Sequence, residues 1–142
     1  MVVIHHNPEC GTSRNVLKII HDAGYEPVVV EYLQQGWTRP QLQALFAAAG
    51  LTPRTALRTT KSPAEALGLL EESVSDAVIL EAMLEYPVLV NRPIVATPKG
   101  VRLCRPSETV LSLLDDWPKG PYFKEDGEMI LDANGHRTGG SE

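Results

Sequence analysis

Two short β-branched runs on either side of one helical stretch constrain this chain more than any other feature. Val2 to His5 is apolar, the loop HNPECGTS supplies Asn, Pro, Gly and Ser, and Arg14 to Ala23 sets Val16, Leu17, Ile19 and Ile20 at helical spacing before Gly24. Pro27 to Leu33 (PVVVEYL) is then nearly continuous, the pattern of a buried strand. The intervening helix is long enough to carry a crossover between parallel strands. The chain is therefore expected to open with a βαβ unit.

The middle reads as helical. Thr38 is a candidate N-cap and Gly50 a stop for one helix, while Ser62-Pro63-Ala64-Glu65 has capping-box spacing with Pro at the first helical position of a second. A third is expected from about Ser75 to Tyr86, halted by Pro87. Pro93 to Thr97 and Val101 to Cys104 flank a three-residue Pro98-Lys99-Gly100 turn and read as an antiparallel hairpin. Ser107 is the candidate cap of a helix carrying Val110, Leu111, Leu113 and Leu114. From about residue 118 the chain is a Gly-rich polar tail, and its last few residues are expected to be mobile. The order βαβ, helices, ββα is that of a thioredoxin-like fold: one α/β domain over 1–142 with a mixed four-stranded sheet and a helical insertion at about 38–86.

Charge and composition remove several function classes. Thirteen Lys plus Arg against eighteen Asp plus Glu give a net charge of −5, without the broad basic footprint of a duplex nucleic-acid binder. No run approaches the ~18 apolar residues of a membrane span, and the N-terminus lacks a charged region leading into an apolar stretch. The protein is expected to be cytoplasmic, with neither nucleic acid nor membrane as a partner. Its 2 cysteines, Cys10 and Cys104, are too few for a disulfide scaffold or for a zinc site without histidines at ligand spacing, so no metal is expected.

Cys10 carries the chemistry. Between a strand and a helix, its sulfur faces unpaired N–H groups and the positive helix end, which favour a thiolate and also bind oxyanions. Gly11 and Thr12, with Ser13, are small enough to let the backbone approach an anion, and Asn7 and His6 are placed to orient the loop. A tyrosine-phosphatase loop would carry Arg where Val16 stands, and a thioredoxin dithiol would carry Cys where Ser13 stands. Phosphate-ester hydrolysis is disfavoured, and the electrons for any redox step must be completed from outside the loop. Glu9, beside the nucleophile, would oppose a thiolate and a dianion if it pointed inward.

His6-Asn7-Pro8-Glu9-Cys10-Gly11-Thr12-Ser13-Arg14-Asn15, Leu57-Arg58, Asn91-Arg92-Pro93-Ile94-Val95 and Arg102-Leu103-Cys104-Arg105-Pro106-Ser107-Glu108 together resemble the glutaredoxin-dependent arsenate reductases. The likeness extends into Lys124-Glu125-Asp126-Gly127-Glu128. It implies an oxidoreductase of arsenic resistance in which Cys10 is the nucleophile and Arg58, Arg92 and Arg105 hold arsenate. His6 and Ser13 would support the thiolate, and Pro93 would take the cis-proline position facing it. Guanidinium groups suit the task, because they stay charged and offer a fixed fork to two oxygens. Reduction of arsenic(V) to arsenic(III) takes two electrons, the number released when two thiols become a disulfide. Cys104 reads as a small core residue, so the second thiol is assigned to glutathione, a co-substrate, with glutaredoxin resolving the mixed disulfide and no cofactor bound. The alternatives are a regulator similar to the Spx type that binds RNA polymerase, and a glutathione-dependent thiol reductase with another substrate. The regulators usually carry Cys-x-x-Cys in the loop, so Ser13 argues against the first.

Overall fold

In a computed structural model, which describes residues 1–138, local sequence signals set most helix boundaries. Helix α1 (Gly11–Asp22) starts at the extended N-cap Cys10 and buries Val16, Ile19 and Ile20 on one face. Helix α3 (Arg39–Ala49) follows α2 (Tyr32–Gln35), a single turn. At its start the Thr38 hydroxyl accepts the Gln41 N–H at 3.2 Å and the Gln41 side chain accepts the Thr38 N–H at 3.2 Å, a reciprocal capping box. Gly50 closes α3 at φ +70°, a left-handed conformation that suits glycine. Helix α4 (Asp76–Glu85) starts where the Ser75 hydroxyl accepts the Val78 N–H, and a 3₁₀ turn at Pro87–Leu89 follows it.

Strands β1 (Val3–His5), β2 (Val28–Val30), β3 (Ile94–Thr97) and β4 (Gly100–Leu103) form one sheet in the order β2-β1-β3-β4. The β1–β2 pair is parallel and joined through α1, while β1–β3 and β3–β4 are antiparallel. The sheet is mixed and four-stranded, as a thioredoxin-like fold requires. Side chains alternate across it. Ile4 and Val95 join Val16, Ile19, Ile20, Val110 and Leu111 on one face. Ile94 joins Leu42, Phe46, Ile79, Met83 and Leu89 on the other. The segment 38–86 thus supplies the second face with its cover.

Several expectations are corrected. The valine run is an edge strand rather than a buried one: Val28 and Val29 are 45% and 38% exposed, because β2 has a neighbour on one side only. Tyr32 and Leu33, read as its continuation, lie in α2. No regular helix follows Ser62. Its hydroxyl accepts the Ala64 N–H, but Gly68 turns left-handed at φ +74° and the segment remains a series of turns. The Arg54 guanidinium then takes the carbonyls of Leu69, Glu71 and Val74. The hairpin loop has two residues, since Gly100 pairs with Thr97. Ser107 opens a 3₁₀ helix (Ser107–Leu113) after Pro106, and its buried hydroxyl caps nothing.

The segment after Trp117 contains a second sheet, β5 (Tyr122–Phe123) with β6 (Met129–Leu131). Tyr122, Ile130 and Leu131 are buried in the first core cluster, so this part of the tail is integral to the fold. The mobility expected of the last residues falls, from 139 onward, outside the described residues. Among the described residues no helix is long and apolar enough to cross a membrane.

Candidate active site

The end of β1 delivers the cysteine loop, and backbone contacts fix where it starts. The His6 N–H donates to Val30 O at 2.8 Å, which ties the loop to the end of β2, and the Cys10 N–H donates to Asn7 O at 3.1 Å. Inside the loop the Ser13 hydroxyl accepts the Asn7 N–H at 3.1 Å and lies 2.7 Å from His6 Nδ1. Asn7 Oδ1 in turn accepts the Glu9 N–H at 2.9 Å, an Asx-type turn. His6, Asn7 and Ser13 are all buried. Burial first, opposed by Glu31, lowers the His6 pKa, which leaves a neutral ring whose Nδ1 can accept the Ser13 proton. His6 and the Ser13 hydroxyl therefore act on the loop that carries the thiol.

Cys10 is 7% exposed and unpaired. Arg92 Nε donates to its sulfur at 3.2 Å, and Arg105 Nη1 lies 3.8 Å from it. Both guanidinium groups are themselves held: Arg92 Nη1 donates to Asn91 Oδ1 at 3.0 Å, and Arg105 Nη1 donates to Arg92 O at 3.1 Å. Burial alone would raise the Cys10 pKa, but the Ser13 backbone N–H at the start of α1, then Arg92, then Arg105 outweigh it, and the thiol is held below its ordinary value. The Arg92–Pro93 peptide is cis, as the resemblance implies.

Arg58 reaches the same region by another route. A bridge between Leu57 and Val90 sets the 56–58 segment beside the chain leading to Asn91, and the Arg58 N–H donates to Leu89 O at 2.8 Å. Its Nε donates to Thr60 O at 3.0 Å rather than to the sulfur. Burial and then the neighbouring charge of Arg92 lower its pKa, and it remains a cation within electrostatic reach of Cys10 and Arg105. Gly11 and Thr12 form the half-exposed first turn of α1. A Cβ at Gly11 would meet Arg14 Nη2 at 3.6 Å and Glu125 Oε1 at 3.9 Å, ordinary van der Waals contacts with the ion pair beside that turn.

Glu9 is exposed, so its charge is not packed against the thiolate. Cys104 is fully buried in the first core cluster, its sulfur 3.7 Å from Arg102 O, and burial pushes its thiol up to about 12. Among the described residues no cluster of three His, Cys, Asp or Glu side chains is arranged to hold a metal ion.

Two parts of the neighbourhood escape sequence reasoning. Glu125, in the tail, makes a two-point ion pair with Arg14 at 2.9 and 3.1 Å, and its N–H donates to Asn15 Oδ1, which fastens the tail onto the first turns of α1. The charge complementarity of Arg14 and Glu125, 111 residues apart, has no local signature. Tyr32 is the second: 1% exposed, it stacks on Trp37 at 4.9 Å, and Trp37 leans on His5 at 5.5 Å.

Fold and site together define a thioredoxin-like protein with one activated thiol set among guanidinium groups. The chain belongs to the ArsC family, whose model matches residues 5–113. It is 72% identical to the arsenate reductase ArsI2 of Synechocystis sp. over 97% of this chain and 99% of that one. An arsenate reductase of Escherichia coli K12 is 48% identical over 96% of both chains. The solved arsenate reductase of Vibrio cholerae superposes with a TM-score of 0.75 at 36% identity, covering 80% of this chain and 97% of that one.

Proposed function

We propose that this protein reduces arsenate to arsenite, with Cys10 as nucleophile and glutathione as the second thiol. The observation that carries the reading is the pair of guanidinium nitrogens 3.2 and 3.8 Å from the Cys10 sulfur, from Arg92 and Arg105. Those donors lower the thiol pKa and surround the place where a tetrahedral oxyanion must sit to be attacked. Arsenate has the charge and oxygen geometry that arginine forks match.

The thiolate attacks arsenic, one arsenate oxygen leaves as water after protonation, and a Cys10 sulfur–arsenic bond forms. Glutathione sulfur then attacks the Cys10 sulfur, the sulfur–arsenic bond breaks, and its electron pair stays on arsenic, which leaves as arsenite. The balance is one arsenate and two thiols giving one arsenite, one disulfide and one water. The product disulfide joins Cys10 to glutathione, and glutaredoxin with further glutathione restores the thiol. Arg58, Arg92 and Arg105 hold the oxyanion, Gly11 and Thr12 present the first turn of α1 to it, and Asn7, His6 and Ser13 keep the loop in place. Cys104 is protonated at neutral pH and enclosed in the core, which supports an external second thiol. No bound cofactor takes part.

The test is arsenite formation with glutathione and glutaredoxin by the wild type and by Cys10→Ser. Turnover in the first and none in the second is expected, because a serine alkoxide is inaccessible near neutral pH and cannot enter a disulfide. Thiol-reductase activity without arsenate reduction would overturn the substrate assignment.

A further inference from the structure

The Tyr32 hydroxyl is a buried donor whose hydrogen meets no acceptor. Such groups are rare in folded proteins, since a donor removed from water and left unpaired is destabilising. Its surroundings give the orphan a purpose. The ring is locked by stacking on Trp37, at the start of α2 just past the carboxyl end of β2. The Asn7 side chain faces the hydroxyl as a donor, so it offers the phenol's own hydrogen no acceptor. Arg92, Arg58 and Cys10 all lie within electrostatic reach of the same oxygen.

We propose that Tyr32 is a further substrate-binding residue, whose hydroxyl donates its unpaired hydrogen to an oxygen of the oxyanion bound between Cys10 and the arginines. This rests on the reading of that region as the arsenate site. The phenol adds a hydrogen bond without adding a fourth positive charge beside the thiolate. Burial is the first of the effects that raise its pKa, to about 12, so the proton is present throughout the neutral range.

Tyr32→Phe removes the hydroxyl and keeps the ring stacked on Trp37. Three readouts on the full chain separate a binding role from a structural one: the rate of Cys10 alkylation by neutral iodoacetamide, the arsenate concentration that half-protects Cys10 in the absence of glutathione, and Tm. The variant is expected to alkylate at the wild-type rate without anion, to melt no lower, and to need roughly 10- to 100-fold more arsenate for protection. That range is the loss of one hydrogen bond to an ion. Equal protection of variant and wild type overturns the role of Tyr32 while leaving the arsenate site standing. A parallel change in anion-free alkylation also overturns it, because the hydroxyl would then act through the thiolate. A lower Tm with unchanged protection assigns Tyr32 to the scaffold and overturns it too. Absence of protection in the wild type would instead remove the arsenate site itself, and this inference with it.

Discussion

Arg92→Lys keeps the charge and removes the geometry, so it isolates what the guanidinium plane contributes. In the structure one rigid group donates through Nε to the Cys10 sulfur at 3.2 Å and through Nη1 to Asn91 Oδ1 at 3.0 Å, so the thiolate contact is held from behind. An ammonium is a single donor centre on a flexible stem, and it cannot keep both contacts while presenting two parallel donors to an oxyanion. At least one charge-assisted hydrogen bond is lost, about 1.5 to 3 kcal/mol. With ~1.4 kcal/mol per factor of ten, kcat/KM for arsenate should fall roughly 10- to 100-fold. The Cys10 pKa should also move up, because one of the interactions that lower it is gone. Its reactivity toward iodoacetamide, which in the wild type is lost only as pH falls through the lowered value, should then be lost at higher pH. Steady-state arsenate reduction at saturating glutathione and glutaredoxin, with and without sulfate as a competitor, measures the first effect, and alkylation against pH measures the second. Wild-type kinetics together with an unmoved alkylation profile would refute the assignment of Arg92 to thiolate and oxyanion.

Other substitutions follow from single contacts. Cys104→Ser should retain most arsenate turnover, because its thiol is enclosed and protonated, but should lower Tm by placing a hydroxyl in the core at about 1–3 kcal/mol. Ser13→Ala removes the partner of both His6 Nδ1 and the Asn7 N–H; urea denaturation should show a loss of about 1–3 kcal/mol, with slower arsenate reduction. Gly120→Ala would bring a Cβ within 1.8 Å of the Asp132 carbonyl oxygen, so the segment carrying β5 and β6 must shift, at about 1–3 kcal/mol in the same urea assay.

What was legible in the sequence is what depends on neighbours in the chain. The apolar spacing of Val16, Ile19 and Ile20, the Thr38 cap with the Gly50 stop, and the halt at Pro87 each act within one or two turns of helix, and each element lies where its signal put it. Cys10, Arg92 and Arg105 were readable because their motifs are contiguous, and folding brings those motifs together at one sulfur. The start at Ser62 failed because a cap gives only a beginning. Gly68 then takes a left-handed turn and Arg54, from another segment, binds the carbonyls that a helix would have used. The valine run failed for a related reason, since its apolar pattern does not reveal that β2 lies at the sheet edge. Strands of two and three residues, such as β5 and β6, are too short to display a period at all. The sequence pattern places Tyr32 in the strand of the valine run, and only the arrangement around its hydroxyl shows a donor left without an acceptor beside the arginines.

The central claim is that one protein thiol and one external thiol share the two electrons. It is tested most directly by a single turnover with arsenate and glutathione in the absence of glutaredoxin, followed by mass analysis of both cysteine peptides. The account expects one arsenite per chain, glutathione disulfide-bonded to Cys10 and a free thiol at Cys104. An internal Cys10 to Cys104 disulfide, or arsenite released with both cysteines unmodified, would contradict it.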